Sequence, residues 1–378
     1  MNVLMISGDI SAVKNEKGPF SETLNGLALL YTQIYIFCPE VYSDIDRNFL
    51  PNVKLRSRKR RMLFKAIFYQ EILTFIKDIK IDLIVSHDYG LMLNGINASI
   101  IAQKINVPHI SEIFHLEGHP NPCNLKERIF SRWGKTYIHL IKKRVALFRV
   151  MNYQIIENLF LKLKVDPKKI ANINAIYINK KYYYPQVIQK EFDFIFCGRF
   201  SSNKGIDLFL TSIKELKNYF PQVKTAMIGS GPLWNFANNY IKKNSLEKNI
   251  KLILRVPSEN ELAMYYAQSK FLVCASSVEG GPRVTIEALA CGTPIITTPV
   301  GVMPEIIKNG VNGQLIGPSK NELLFQMKKY LKIHPNEYQK LVKATQDGLE
   351  RFDAANSMEN IFNNYRKVVD YHLLQIIN

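Results

Sequence analysis

The sequence predicts an α/β protein made of two doubly wound domains that face each other across a cleft. Short apolar runs of strand length alternate with amphipathic segments of helix length in both halves of the chain. At 378 residues the chain is long enough for two domains with separate cores. A polar, tyrosine-rich stretch at residues 179–191 interrupts the alternation, so we place the domain boundary near residue 185.

The amino-terminal domain, residues 1–185, opens with a strand, a loop that contains glycine, a helix and a second strand, which is how a doubly wound sheet begins. Further strands are predicted at residues 82–86, 107–113, 154–157 and 170–176. The first two of these strands lead into His87 and into a segment that contains His115. Ligands bind beyond the carboxyl ends of parallel strands, so these histidines are candidate site residues.

The carboxyl-terminal domain, residues 186–355, continues the alternation of strands and helices. Strands are predicted at residues 192–197, 224–228, 250–254, 271–275 and 294–297, with helices at 206–216, 233–243, 259–267, 322–331 and 337–352. A last helix within residues 356–378 is expected to pack back toward the amino-terminal domain.

Three loops with glycine follow strands of the second domain and are expected to meet at the carboxyl edge of its sheet. The first loop, residues 198–205, contains Arg199 and Lys204 and opens a helix. Cations beside the amino terminus of a helix are typical of a phosphate site. The second loop contains Gly229 and Gly231, which let the backbone approach a ligand closely.

The third loop belongs to the stretch 276–297, which carries two acidic residues. Glu279 lies in the loop itself, next to Gly280 and Gly281, and Glu287 follows on a short predicted helix. The first acid follows a strand directly, where ligands of α/β proteins bind. A carboxylate is also a natural double acceptor for a pair of hydroxyl groups, so both acids are candidate binding residues.

These motifs together resemble the carboxyl-terminal domain of retaining glycosyltransferase family 4, one of the group 1 glycosyltransferases, whose members have the GT-B fold. The matching residues are Gly198-Arg199 with Lys204-Gly205, Gly229-x-Gly231, Glu279-x7-Glu287, Ala290-Cys291-Gly292-x-Pro294, Gly301-x-x-Pro304-Glu305 and Asn309-Gly310-x-x-Gly313. The resemblance covers residues 190–320 well and is thinner in the first domain.

The resemblance implies how a donor would bind. Arg199 and Lys204 would hold the diphosphate of a UDP- or GDP-linked sugar, with the amides of Gly280 and Gly281 nearby. Glu287 would accept hydrogen bonds from the ribose hydroxyls. No metal ion or other cofactor is expected, because fixed Arg and Lys side chains supply the positive charge that a leaving diphosphate needs.

The resemblance also implies the catalytic residues and the reaction. Glu279 would contact the sugar being transferred, and His115 would lie over that sugar from the first domain. The loops around the nucleotide would contain Gly198, Gly229, Gly231 and Arg255. The family retains the anomeric configuration by a front-face reaction, in which the leaving phosphate helps to deprotonate the acceptor.

Two departures from the family pattern concern this site. The family commonly has Glu-Gly-Phe-Gly, whereas this chain has Glu279-Gly280-Gly281-Pro282-Arg283. The proline removes an amide donor and the arginine adds a charge. Arg255 likewise replaces a residue that is commonly small. These changes leave the donor sugar and the nucleotide base open.

The net charge of the chain is strongly positive and is concentrated in the first half of the sequence. The net charge is +18, and residues 1–185 carry 27 Lys and Arg residues against 15 Asp and Glu residues. Six cations lie within residues 54–61, and residues 126–149 combine cations with aromatic residues. The candidate contacts with an anionic membrane or an acceptor are Arg58, Lys59, Arg60 and Arg61. A solvated basic loop is the alternative interpretation.

Other classes of site are disfavoured. No nucleic-acid-binding motif accompanies the charge. The five cysteines have no paired spacing, so buried thiols are predicted and no zinc site. Asp44-x-Asp46 resembles the metal-binding acids of another class of nucleotide-sugar enzymes, but it lies in a predicted polar loop and is interpreted as coincidence. No apolar run reaches the roughly 18 residues of a spanning helix. We therefore expect a cytoplasmic protein on the inner face of the cell membrane.

The sequence thus predicts a retaining hexosyl- or N-acetylhexosaminyl-transferase. It would move a sugar from a nucleotide-sugar donor to a glycan or lipid-linked acceptor in the synthesis of cell-surface polysaccharide or lipopolysaccharide. Two alternatives stay open. One is a nucleotide-sugar epimerase on the same fold, and the other is a nucleotide-sugar-binding protein without catalysis, which the altered loop after Glu279 allows.

Overall fold

The chain divides into two compact α/β units in the computed structural model. The first unit comprises Met1–Ala175 with Ala355–Asn378, and the second comprises Ile176–Ala354. The structure describes residues 1–9, 13–14, 16, 18–39, 45–58, 68–119, 122 and 125–377. The sequence-based boundary near residue 185 falls within the second unit, in the segment that precedes its first strand.

The strands belong to two sheets, one in each unit. Those of the first unit are β1 (Asn2–Ile6), β2 (Gln33–Cys38), β3 (Ile45–Leu50), β4 (Val53–Ser57), β5 (Leu83–His87), β6 (His109–Glu112), β7 (Leu147–Val150) and β8 (Ile170–Asn172). Those of the second unit are β9 (Phe192–Cys197), β10 (Thr225–Ile228), β11 (Ile250–Ile253), β12 (Ser269–Cys274), β13 (Ile295–Thr297) and β14 (Gly313–Leu315).

The α-helices connect these strands and cover the sheets. They are α1 (Pro19–Ala28), α2 (Tyr69–Phe75), α3 (Leu93–Ile105), α4 (Leu125–Ile141), α5 (Tyr153–Ile155), α6 (Ile206–Lys217), α7 (Trp234–Lys243), α8 (Glu259–Ala267), α9 (Arg283–Ala290), α10 (Met303–Ile306), α11 (Lys320–Leu331), α12 (Pro335–Ala344) and α13 (Ala354–Ile377). Within the described residues, no helix has both the length and the apolar character needed to cross a membrane.

The first sheet has the order β3-β4-β2-β1-β5-β6-β7-β8. All its neighbouring strands are parallel except β3 and β4, which pair in antiparallel fashion. Its central strands β1 and β5 are almost continuously apolar, because helices cover both faces of a parallel sheet. The carboxyl-terminal helix α13 belongs to this unit, and its Phe362 packs edge-on against Tyr31, with ring centroids 5.1 Å apart.

The second sheet is wholly parallel and has the order β11-β10-β9-β12-β13-β14. Numbered from its first strand, this order is 3-2-1-4-5-6, which is the order of the doubly wound dinucleotide-binding fold. The strand order reverses between β9 and β12. Phe271 of β12 stacks on Tyr330 of α11 at 4.4 Å between ring centroids, which fixes the helix against the sheet. The two sheets confirm the predicted fold class.

Two predictions about the first unit are wrong. Residues 154–157 are helical rather than a strand, since α5 continues into a π-helical turn at Ile156–Leu161. The strand at this edge is instead β7, Leu-Phe-Arg-Val, whose buried Arg149 has a carboxylate partner on β6. Arg149 makes this short apolar run difficult to recognise as a strand, because the sequence does not reveal that Arg149 has a buried ion-pair partner in Glu112.

A second correction concerns the basic run at residues 54–61. Its first part lies in β4, and Asp46 lies in β3 rather than in a loop. Arg56 donates a charge-assisted hydrogen bond to Asp46 across the antiparallel pair. The two strands form the edge of the sheet, where one face is solvated and apolar residues do not run continuously. Asp44 lies outside the described residues.

Candidate active site

The loops that leave β9, β10 and β12 come together at the carboxyl edge of the second sheet. The amide of Phe200 in the first loop donates a hydrogen bond to the Ser230 carbonyl in the second, at 2.7 Å. The amide of Ser277 in the third loop donates to the Asn203 carbonyl in the first, at 2.8 Å. The predicted meeting of these loops is therefore present. It lies where the strand order reverses, the place at which doubly wound sheets bind ligands.

Two glycines make this close packing feasible. Gly205 has a φ of +68°, and a Cβ there would lie 2.2 Å from the Ala275 carbonyl oxygen at the end of β12. Gly229 has a φ of +151°, and its Cβ would lie 1.8 Å from the Gly198 carbonyl oxygen. Any larger residue would both strain the backbone and separate the loops. The glycine motifs thus hold the loops together.

Lys204 and Glu279 contact each other directly across the point where the strand order reverses. The Lys204 ammonium group forms an ion pair with Glu279, and their side chains are 22% and 14% exposed. Lys204 ends a 3₁₀ turn immediately before Gly205, which precedes the first turn of α6. The predicted diphosphate cation and the predicted sugar-binding acid are thus neighbours at the amino terminus of a helix.

Arg199 lies in the same loop and is exposed. Among the described residues, its guanidinium group has no ion-pair or hydrogen-bond partner, so its donors face solvent. A guanidinium group presents five donors in a planar fork that suits phosphate oxygens. The loop therefore presents one cation that is paired with a carboxylate and one that is available to a ligand.

Glu287 is buried on α9, although helix residues of this type are usually solvated. The residue is 4% exposed. The Tyr266 hydroxyl on α8 donates to Oε2 at 3.0 Å, and Nε of Arg283 lies 3.0 Å from Oε1. Burial raises the pKa of Glu287, while Arg283 and the Tyr266 hydrogen bond act in the opposite direction. Glu287 is therefore a buried residue with two polar partners and not a solvated helix residue.

Arg283 connects this acid to two further side chains. Its guanidinium group lies 3.6 Å from Glu259 on α8 and 5.5 Å from the ring centroid of Tyr177. Sequence reasoning noted Arg283 only as an added charge and missed Tyr266 and Glu259. Neither residue stands in a motif. Only their positions on α8, folded against α9, bring them to the site.

The remaining predicted nucleotide-binding residues lie at the same edge. Gly198 and Gly229 directly follow β9 and β10, and Arg255 follows β11 and is exposed. Gly280 and Gly281 lie in the loop between β12 and α9. Their roles toward a donor stay predictions, since the arrangement fixes where they lie and not what they bind.

The first unit has its own polar cluster where its strand order reverses, between β1 and β5. His87 at the end of β5 lies 2.9 Å from the Ser7 hydroxyl through Nδ1 and 3.0 Å from Glu112 through Nε2. Phe20 packs edge-on against the imidazole at 5.1 Å. Both ring nitrogens are therefore engaged, and the ring is fixed in orientation.

Glu112 also belongs to a buried ion pair. Arg149 on β7 donates to Glu112 at 2.6 Å, and the two residues are 3% and 4% exposed. Tyr365 on α13 donates to the same carboxylate. Burial alone would raise the pKa of Glu112, but Arg149 and His87 outweigh burial and lower it to about 2. The carboxylate is therefore ionised at neutral pH, inside the unit.

A second buried acid lies behind this edge. The Asp88 carboxylate accepts hydrogen bonds from Ser86, Ser111 and Tyr137. Burial nevertheless raises its pKa to about 7. His109 next to it is buried as well, and burial lowers its pKa to about 3. This polar group lies in the interior of the unit, where it connects β5 and β6 to α4.

The other predicted residues of the first unit are His115 and the cations at residues 58–61. His115 is exposed in the turn after β6, and its role over the sugar stays a prediction. Arg58 lies 4.0 Å from Asp46, while Lys59, Arg60 and Arg61 lie outside the described residues. Within the part of the chain that the structure describes, no group of three or more His, Cys, Asp or Glu residues could hold a metal ion.

Known proteins resemble this chain in sequence and in fold. Residues 185–347 match the family model of glycosyl transferases group 1. An uncharacterized glycosyltransferase of Methanocaldococcus jannaschii is 28% identical over 335 residues, which are 87% of this chain and 88% of the relative. Sucrose-phosphate synthase from Thermosynechococcus elongatus superposes with a TM-score of 0.81 at 18% identity, covering 98% of this chain and 100% of that chain. HepE of Anabaena, in complex with UDP, superposes with a TM-score of 0.73 at 16% identity, covering 97% and 100%.

The superposed structures show that this chain has the fold of the GT-B glycosyltransferases. Within this class the chain carries a group 1 glycosyltransferase domain at residues 185–347. The resemblance that the motifs indicated is thereby confirmed at the level of group 1.

Proposed function

We propose that this protein is a retaining glycosyltransferase of family 4 that uses a UDP- or GDP-linked sugar and needs no metal ion. One observation carries the proposal. Lys204 and Glu279 form an ion pair at the amino terminus of α6, where the strand order reverses, and Arg199 lies in the same loop as Lys204. A diphosphate placed there would meet two cations and the free amides of a helix. The proximity of Glu279 to Lys204 supports a position of the transferred sugar next to the diphosphate.

The resemblance to the retaining family implies a front-face reaction, and the charges of the site suit it. The bond between the anomeric carbon and the diphosphate oxygen breaks, and a bond from the acceptor oxygen to the same carbon forms on the same face. The acceptor proton passes to the leaving phosphate. Arg199 and Lys204 stabilise the negative charge that develops on the diphosphate, and they do so without reorganisation because they are already in place. His115 would orient the sugar.

The environment of the two acids supports this route over a covalent one. In retaining hydrolases, one carboxylate attacks the sugar while a second acts as acid and base. Here Glu279 is paired with Lys204, and Glu287 is bound by Tyr266 and Arg283. Neither carboxylate is suited to be a nucleophile. Glu287 is instead suited to accept hydrogen bonds from the donor ribose.

The known structures support the donor class. HepE was solved with UDP, and its fold superposes on this chain over almost its whole length. We therefore place UDP-linked hexoses and N-acetylhexosamines first among donors, and GDP-linked sugars second.

The activity test is a panel of UDP- and GDP-sugars with a mixture of glycan and lipid-linked acceptors. We expect release of the nucleoside diphosphate from one donor, faster with acceptor than without it. The product should keep the anomeric configuration of the donor, as measured by NMR. Glu287→Ala should weaken donor binding at least 10-fold, because hydrogen bonds to a charged group contribute roughly 1.5–3 kcal/mol. Isomerised donor without release would identify an epimerase. Donor binding with neither reaction would identify a binding protein.

We further propose that the protein acts on a lipid-linked acceptor of cell-surface polysaccharide or lipopolysaccharide synthesis, at the inner face of the cell membrane. Helix α4 supports this. Leu125, Ile129 and Leu140 are exposed on it, at 73%, 57% and 62%. Cations lie among them at Lys126, Arg128, Arg132 and Lys135. An apolar surface that is surrounded by cations is typical of helices that lie in an anionic membrane interface.

Neutralising the cations of α4 tests the membrane proposal. The triple variant Arg128→Gln, Arg132→Gln and Lys135→Gln should lose about two orders of magnitude in affinity for anionic phospholipid vesicles, because each cation contributes roughly 1 kcal/mol at such a surface. Co-sedimentation measures the loss. The control removes the same charge from the second unit, at Lys214, Lys242 and Lys243, and should bind like the wild type. Equal binding by both variants would contradict the proposal.

A further inference from the structure

Arg283 is the residue at the candidate site whose role the group 1 motifs leave unassigned. It begins α9 four residues before Glu287 and adds a positive charge next to the loop after Glu279. Residues four apart on a helix lie on one face. Nε of Arg283 lies 3.0 Å from Oε1 of Glu287. The charge is therefore directed at the acid that we assign to the ribose.

The contacts of the Glu287 carboxylate can be counted against its capacity. An ionised carboxylate has two oxygens and about four lone-pair sites. The Tyr266 hydroxyl occupies one site on Oε2, and the Arg283 guanidinium group lies beside Oε1 as its ion-pair partner. About one site remains on each oxygen. Two acceptor sites on neighbouring oxygens match the two vicinal hydroxyl groups of a ribose.

The two partners of Glu287 differ in how freely they can move. Tyr266 is fully buried, at 0% exposed, and is fixed within α8. The Arg283 side chain is 24% exposed, against 6% for that of Glu287. Glu259 lies 3.6 Å from Arg283 and offers it a second acceptor. Arg283 is thus the more exposed of the two partners of the carboxylate.

We propose that Arg283 is a positioning residue for the donor ribose, which orients the Glu287 carboxylate so that one acceptor site on each oxygen faces a ribose hydroxyl. The inference rests on the proposed function, in which Glu287 binds the ribose. It assigns to the arginine the selection of ribonucleotides over deoxyribonucleotides. Arg283 itself touches the carboxylate and not the reacting atoms.

The charges around Glu287 add a pH signature. Arg283 comes from α9, and Tyr266 and Glu259 come from α8. Burial raises the pKa of Cys197 on β9 and of Cys291 after α9 to about 12, and burial also raises the pKa of Tyr183. These three groups stay neutral between pH 6 and 8.5. Removing Arg283 leaves the burial effect on Glu287 less opposed, so the pKa of Glu287 rises further and the carboxylate binds a proton more readily as the pH falls.

The experiment compares Arg283→Met with the wild type by calorimetry. The ligands are UDP and 2′-deoxy-UDP, with GDP and 2′-deoxy-GDP in parallel. The wild type should prefer the ribonucleotide by roughly 10-fold or more, because a hydrogen bond to a charged acceptor contributes roughly 1.5–3 kcal/mol. Arg283→Met should lose most of this preference at pH 6.0 and regain part of it at pH 8.5. Arg283→Lys should retain an intermediate preference at both pH values.

Lys320→Met is the matched control, since it removes one cation of the same unit, 45% exposed and paired with Glu215. It should keep the wild-type preference. Equal weakening of both ligands by Arg283→Met at every pH, or no change in either, overturns the positioning role while the proposed function stands. A wild type that binds neither UDP nor GDP overturns the proposed function and the inference with it.

Discussion

Replacing Glu112 with Gln is expected to lower the free energy of unfolding of the first unit by about 3–5 kcal/mol, the usual effect of removing one partner of a buried ion pair. Arg149 is 3% exposed and cannot lose its proton. It also donates to the carbonyl oxygens of Ile173 and Asn174. Glu112→Gln would leave the Arg149 guanidinium group in the interior without a countercharge. It would also remove the ionised acceptor of the Tyr365 hydroxyl.

Hydrogen exchange measured by mass spectrometry is the suitable assay, because it reports on the strands of each unit separately. Peptides that cover β6 and β7 should exchange roughly 10²- to 10³-fold faster in Glu112→Gln. Arg149→Met added to this variant should restore much of the protection, since the pair is replaced by uncharged groups. Glu215→Gln, which breaks the exposed pair with Lys320, is the control and should not change exchange. Unchanged exchange of β6 and β7 would show that the pair is dispensable.

Glu112 also makes the stability of the first unit depend on pH. Its pKa is lowered to about 2 in the folded protein. Its contribution to stability is therefore present above the ordinary carboxyl pKa, and it is lost as the pH falls from about 4.5 toward 2. Protection of β6 and β7 should thus weaken on acidification in the wild type. In Glu112→Gln this component of the pH dependence should be absent.

The loops of the candidate site could be predicted from sequence because the reasons for them are local. Gly205 and Gly229 are required by close backbone approaches, and a glycine after a strand can be recognised without a structure. Arg199 and Lys204 stand in the same short loop as one of these glycines. The alternation of strands and helices makes the strands parallel, which places the loops after them at one edge of the sheet.

The buried ion pair could not be predicted, because its members are far apart in the chain. Arg149 meets Glu112 from 37 residues away, and Tyr365 meets Glu112 from 253 residues away. In the sequence, Arg149 ends a basic segment, so β7 is not recognised as a strand and the prediction places the strand at residues 154–157 instead. The contact between Tyr266 and Glu287 could not be predicted either, because it depends on how α8 packs against α9.

Replacing Lys204 with Met is expected to lower kcat about 10²- to 10³-fold, comparable to the loss of one preorganised donor at a site of developing charge. The ammonium group lies at the amino terminus of α6, in the loop that we assign to the diphosphate. The negative charge on the leaving group grows toward the transition state. A fixed cation therefore stabilises the transition state more than the bound donor, and kcat should fall more than donor affinity.

The loss of Lys204 also leaves Glu279 without its ion-pair partner, and this second effect needs to be separated from the first. Lys204→Arg keeps a cation next to Glu279 and should recover part of kcat. Lys270→Met, which breaks the ion pair with Asp193 in the same unit, is the matched control and should keep wild-type turnover. If Lys204→Met changed KM alone, its charge would act equally on the ground state and the transition state, and the assignment of Lys204 to the leaving diphosphate would be wrong.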